Sequence, residues 1–128
     1  MTPLVVFLGA GFGGVARYAL GGVVQNAAGS GFPAGTLFVN ISGSLLLTFL
    51  YALLENAAAP PQWRLFLGIG FCGGYTTFST FSYEAVRMMQ DGQWSRAGVY
   101  MLASLFGTVL AAVAGFRLAT LALNRGAS

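Results

Sequence analysis

The sequence predicts an all-α integral membrane protein with four transmembrane helices per subunit, the third of them broken, and three observations carry that prediction. Of 128 residues, 56% are hydrophobic and 7% charged, against about 25% charged in an ordinary soluble domain. There is too little polar surface to wrap a water-soluble core of this size. The apolar residues fall into four stretches separated by Gly, Pro, Asn and Asp clusters; a crossing helix needs about 20 apolar residues, so four crossings fit one domain over residues 1–128 with short loops between. The third stretch carries glycines and then hydroxyls in its middle, an unsuitable sequence for a continuous lipid-facing helix.

The first span is placed at about 3–25, from Pro3 to Val24, with Arg17 its one charge. A secretory signal would want a basic start and an uninterrupted apolar centre; here the start has no basic side chain and Arg17 interrupts the run, so the segment is expected to stay. Asn26 to Pro33 is a Gly/Ser/Pro/Asn cluster of the kind that marks a loop. The second span covers about 35–54 and is closed by Glu55-Asn56 and Pro60-Pro61. The third runs over about 62–89 with its break near 73–80, Asp91-Gly92 makes the next turn, and the fourth covers about 94–123.

The same composition narrows the chemistry. There is no His and no Lys, one Cys (Cys72), and three carboxylates (Glu55, Glu84, Asp91), so an enzyme is not expected and no Cys/His metal site can be built. The six basic residues are all Arg, dispersed from Arg17 to Arg125, with no basic run for a phosphate backbone; nucleic acid is excluded as a partner. Gly9-Ala10-Gly11-Phe12-Gly13-Gly14 contains GxGxxG, but a dinucleotide site also wants a βαβ unit and an acid about 20 residues on. The first acid after it is Glu55.

Glycine accounts for 19 residues, about twice ordinary usage. Much of it recurs every four positions: Gly9, Gly13 and Gly21 in register with Arg17, and Gly107 and Gly115 with Ala111. Such stripes let membrane helices approach closely. Arginine near span ends tends to stay cytoplasmic, yet Arg64 and Arg125 on one side nearly balance Arg87 and Arg96 on the other. Both orientations are expected in the membrane, allowing an antiparallel two-fold homodimer; the alternative is that Arg117 decides for one orientation.

Polar groups at bilayer depth are functional candidates by default. Thr36, Asn40, Ser44 and Thr48 lie on one helical stripe, read either as helix-to-helix adhesion or as part of a site. The segment Gly73-Gly74-Tyr75-Thr76-Thr77-Phe78-Ser79-Thr80-Phe81-Ser82 reads either as a break whose carbonyls need partners other than lipid, such as a small cation across a dimer axis, or as a continuous helix whose hydroxyls bond to the preceding turn. Phe78 and Phe81 share a helical face, and aromatic ring edges are positive. Amide donors, hydroxyls and ring edges together suit a small dehydrated anion such as fluoride.

At this point the resemblance is specific. Gly35-Thr36-Leu37-Phe38-Val39-Asn40-Ile41-Ser42-Gly43-Ser44, the run from Gly70 to Glu84 containing Thr76-Thr77-Phe78-Ser79-Thr80-Phe81-Ser82, and Gly13-Gly14-Val15-Ala16-Arg17-Tyr18 resemble the Fluc (CrcB-type) fluoride channel family over essentially the whole chain. The resemblance implies a multi-pass protein of the bacterial inner membrane, a dual-topology antiparallel homodimer with two fluoride pathways, and passive export of cytoplasmic fluoride. By motif position it implies a structural sodium ion (Na+) on the backbone carbonyls of Gly73 and Thr76. It puts Phe78 and Phe81 along the pathway with Asn40 donating toward fluoride, and Ser82, Glu84 and Arg17 further along it. Tyr75 and Thr48 stand where the family often has smaller residues, Phe or glycine. The main rival, a small four-helix multidrug exporter, would want an acid in its first span, and residues 1–54 contain none.

Overall fold

The computed structural model describes residues 1–127, and among them the regular structure is entirely helical. Helix α1 spans Thr2–Ala28, with Pro3 in its first turn, where a missing N–H is harmless. It stops at Gly29, whose φ of 87° is the left-handed conformation that favours glycine, and the Gly29 N–H closes on the Gln25 carbonyl. Helix α2 spans Ala34–Asn56. Both run a turn or less past their expected ends, because the polar residues flanking the apolar stretch still complete backbone hydrogen bonds.

The third apolar stretch is divided. A helical run, α3, occupies residues 61–75: an α-helical turn Pro61–Trp63, a π-helical segment Arg64–Cys72 and a second α-helical turn Gly73–Tyr75. Thr76 (φ −90°, ψ 160°) and Thr77 (φ −152°, ψ 120°) are extended, and helix α4 resumes over Phe78–Gln90. Thr77 caps α4, its side chain accepting the Thr80 N–H. Gly92, at φ 79°, makes the turn into α5, Trp94–Ala127.

Among the described residues, three helices are long and apolar enough to cross a membrane: Thr2–Ala28, Ala34–Asn56 and Trp94–Gly126. They coincide with the first, second and fourth expected spans. Their outer faces display large apolar side chains, among them Phe7, Phe12, Phe106 and Phe116, as lipid demands.

Glycine sets how the helices meet. A Cβ on Gly9 or Gly13 would overlap the Phe66 or Phe71 carbonyl, and one on Gly74 would overlap the Ala10 backbone, so α1 and α3 touch backbone to backbone. A Cβ on Gly115 would strike Thr48 and the Leu45 carbonyl, and one on Gly107 would strike Ile41. These pairs advance together along both chains, so α2 and α5 run parallel. The four-residue glycine spacing therefore marks contacts within the chain. Tyr100 and Val39 are the largest side chains sealed inside.

Candidate functional site

The interruption between α3 and α4 is organised by one side chain of α2. Asn40 Nδ2 donates to the Thr77 carbonyl (2.9 Å), and the Thr77 N–H donates back to Asn40 Oδ1 (2.7 Å). An amide side chain thus pairs with a backbone peptide in both directions. In a continuous helix that Thr77 N–H would close on the carbonyl of Gly73. Arg17 supplies a second clamp, its Nε donating to the Gly74 carbonyl (3.1 Å). A third comes from Tyr75, whose hydroxyl meets Ser42 Oγ at 2.9 Å while its ring stacks on Phe71. A Cβ on Gly43 would collide with Thr76 and Tyr75, so glycine is what lets the extended residues sit against α2.

The hydroxyls divide between roles. Thr76 Oγ1 and Ser82 Oγ donate to the carbonyls of Cys72 and Phe78, four residues back, as expected for hydroxyls in helices. On α2, Ser44 bonds back to Asn40, and Thr48 reaches across to the Ala112 carbonyl of α5 (2.8 Å). The stripe from Thr36 to Thr48 therefore serves two purposes: Asn40 holds the interruption, and Thr48 joins helices.

A groove of about 620 Å³ lies where α2, α3, α4 and α5 converge. Asn40, Gly73, Thr76, Phe78 and Phe81 all line it, so five of the eight residues singled out from the sequence come together. The Phe78 and Phe81 centroids are 5.5 Å apart at 56°, and Phe78 is largely exposed. No side chain lining the groove carries a charge. Arg17 and Glu84 line a separate cavity of about 300 Å³ on the other side of Thr77, which borders both. Ser82 lines neither.

Sequence reasoning missed three residues of α5. Tyr100 is fully buried; its hydroxyl donates to Glu84 Oε1 (3.0 Å) and its ring packs on Phe81 at 5.1 Å. Ser104 lines the groove, and its buried Oγ has no hydrogen-bond partner among the described residues. Thr108 also lines it. The signal was present: Tyr100, Ser104 and Thr108 recur every four residues, the periodicity that exposed the α2 stripe. Among the described residues no group of three His, Cys, Asp or Glu side chains could hold a metal; the oxygens this region offers are those of backbone carbonyls, of Ser and Thr hydroxyls and of the Asn40 amide.

An all-helical chain with apolar outer faces and a largely apolar groove bearing a few uncharged polar groups among its helices belongs to the class of multi-pass membrane proteins. The family described as CrcB-like protein, Camphor Resistance (CrcB), matches residues 4–116, and the chain is a member of it. It is 45% identical over 126 residues to the fluoride-specific ion channel FluC 1 of Leifsonia xyli subsp. xyli, covering 96% of this chain and 92% of that one. It is 44% identical over 115 residues to a fluoride-specific ion channel FluC of Thermus thermophilus, covering 90% and 92% of the two chains. With the fluoride-specific ion channel FluC of Pyrococcus abyssi the identity is 40% over 119 residues, 92% and 95% of the two.

Proposed function

We propose that this chain is a fluoride-selective passive channel, exporting fluoride from the cytoplasm across the bacterial inner membrane. The observation that carries the reading is the uncharged groove, which is lined by Asn40, Thr76, Phe78 and Phe81. Fluoride is a compact, strong hydrogen-bond acceptor. Asn40 spends one Nδ2 hydrogen on Thr77 and has a second for an anion. Ring edges add positive potential without a full charge. An anion is then held firmly enough to enter and weakly enough to leave, as conduction requires. The relatives' names as fluoride-specific channels support the choice of ion.

On this reading residues 1–128 form one four-span channel domain. The run 61–90 is the third span, interrupted at Thr76 and Thr77, and two copies assemble antiparallel. Arg17 and Glu84 belong to the approach to the pathway, and Ser82 lies beside it. The carbonyls of Gly73 and Thr76 would hold a structural sodium ion between the copies. The donor chemistry fits: the Thr77 N–H that would have engaged the Gly73 carbonyl goes to Asn40 instead, which withdraws that oxygen's helical partner. The ion would supply positive charge and cohesion at the interface.

The deciding experiment is fluoride-electrode efflux from liposomes carrying the purified protein, beside a chloride electrode and empty vesicles. Fluoride loss without chloride loss is expected; a folded protein that releases neither ion overturns the channel. Tagged termini should be labelled from both sides of the membrane, and one-sided labelling defeats the antiparallel dimer. Thr76→Ser should keep the sodium dependence of efflux, because the ligand is the carbonyl.

A further inference from the structure

We propose that Phe32, in the turn between α1 and α2, is a positioning residue for Phe81; this rests on the channel reading of Phe81. The turn is fastened from two helices. From α1, Gln25 Nε2 donates to the carbonyls of Gly29 (2.6 Å) and Phe32 (2.9 Å), while Gln25 Oε1 accepts the Gly35 N–H (3.0 Å). From α5, Arg96 Nη1 donates to the Gly31 carbonyl. Four side-chain hydrogen bonds on so short a segment fix the direction in which Phe32 leaves the backbone.

Its ring meets Tyr100 edge-on, with centroids 5.4 Å apart at 83°. Tyr100 is sealed from solvent and tied at its far end to Glu84, so its ring orientation is set by its neighbours. Among the residues packed around it, the two aromatic rings are Phe32 and Phe81, the latter at 5.1 Å and 56°. Phe81 in turn leans on Phe78 at the groove. Four rings therefore run without a gap from the turn to the groove, and closely packed rings transmit a displacement because interiors have little slack. The aromatic route from Phe32 to the pathway passes through Tyr100 and Phe81.

The test uses the full chain in liposomes with fluoride and chloride electrodes. Phe32→Leu keeps apolar bulk but loses the edge-on ring, and should slow fluoride efflux about threefold to tenfold, the range of one aromatic pair expressed as a rate. Phe32→Tyr should restore it to within about twofold. In a Phe81→Ile background Phe32→Leu should add nothing, since the effect travels through the ring already removed. A wild-type rate in folded Phe32→Leu, or losses that multiply in the double variant, overturns the proposal. Arg96→Gln loosens the turn without entering the packed interior, and its smaller loss should likewise vanish beside Phe81→Ile; persistence there counts against the proposal. A para-fluorophenylalanine at position 81 gives a readout independent of flux. Its fluorine NMR resonance should move in Phe32→Leu and return in Phe32→Tyr, and an unmoved resonance overturns the contact. If the wild-type chain itself passes no fluoride, the channel reading fails, and the fluorine resonance still judges Phe32.

Discussion

The two pieces of the third apolar stretch are held by different balances of backbone and side-chain contact. The first, α3, is gripped along its length by backbone: Gly9 and Gly13 of α1 face its carbonyls with no room for a Cβ, and its own Gly74 fits against Ala10. It takes side-chain clamps at its end, from Arg17 on the Gly74 carbonyl and Ser42 on Tyr75. The second, α4, is held by side chains, through Thr77 on Asn40, Glu84 on Tyr100 and Phe81 on Tyr100, while Phe78, Tyr83 and Val86 stay exposed. Backbone contact leaves nothing to adjust. Side-chain contact can be tuned one residue at a time, which is what a selective route for an ion needs. The comparison teaches how one stretch can serve two ends: the glycine face of α1 fixes α3 in place, while α3 and α4 together line the groove with Gly73, Thr76, Phe78 and Phe81.

The sharpest way to break this contrast is Gly13→Val. With the Phe71 carbonyl where the new side chain must go, α1 and α3 cannot both keep their places, and the expected outcome is loss of a monodisperse folded species by size exclusion. Recovery of folded protein with normal thermal unfolding would show that the backbone grip is looser than the structure gives. Next is Asn40→Asp, which loses the donor to the Thr77 carbonyl, sets two oxygens face to face and puts a negative charge beside an anion path. Fluoride efflux should fall by about a hundredfold or more, the equivalent of about 3 kcal/mol. Undiminished efflux would place the route elsewhere.

Smaller effects sharpen the comparison. Tyr75→Phe removes the bond to Ser42 but keeps the stack on Phe71, and Ser42 Oγ retains the Phe38 carbonyl at 2.7 Å. A loss of about 1 kcal/mol is expected, read as a lower thermal midpoint in detergent with fluoride selectivity unchanged. The smallest is Gly11→Ala, two residues from Gly13 on the open side of α1, where a Cβ meets nothing. It should stabilise by about 0.5–1 kcal/mol through helix propensity; destabilisation there would mean that this face is also packed.

Much of this was legible in the sequence. Apolar runs located α1, α2 and α5 to within a turn, because in lipid the length of a hydrophobic helix and its limits are set by the same residues. Where Gly73-Gly74 gives way to Thr76-Thr77, the backbone turns extended, and the glycine stripes named the faces that touch. What escaped was whatever depends on two distant segments meeting. Asn40 reads from the sequence either as interhelical adhesion or as a donor to an anion; the structure gives it the Thr77 peptide to hold, and that partner, 37 positions away, is one no local pattern encodes. Nor did the sequence announce the π-helical turns of Arg64–Cys72, or that Ser104 would be buried without a partner.

Helix α5 has one more consequence, in the matching of protein to bilayer thickness. From Trp94 to Arg117 it rises about 35 Å, at about 1.5 Å per residue, slightly more than the roughly 30 Å of a typical hydrocarbon core. An indole and a guanidinium, both exposed, stand at the two ends of that ruler, and each prefers the headgroup region. In lipids with long acyl chains the guanidinium would be drawn below the surface, and the helix would answer by standing more upright or by thinning the membrane around it. Because Tyr100, Ser104 and Thr108 sit on the same rod, the choice of lipid in a reconstitution becomes a mechanical variable acting on the groove itself.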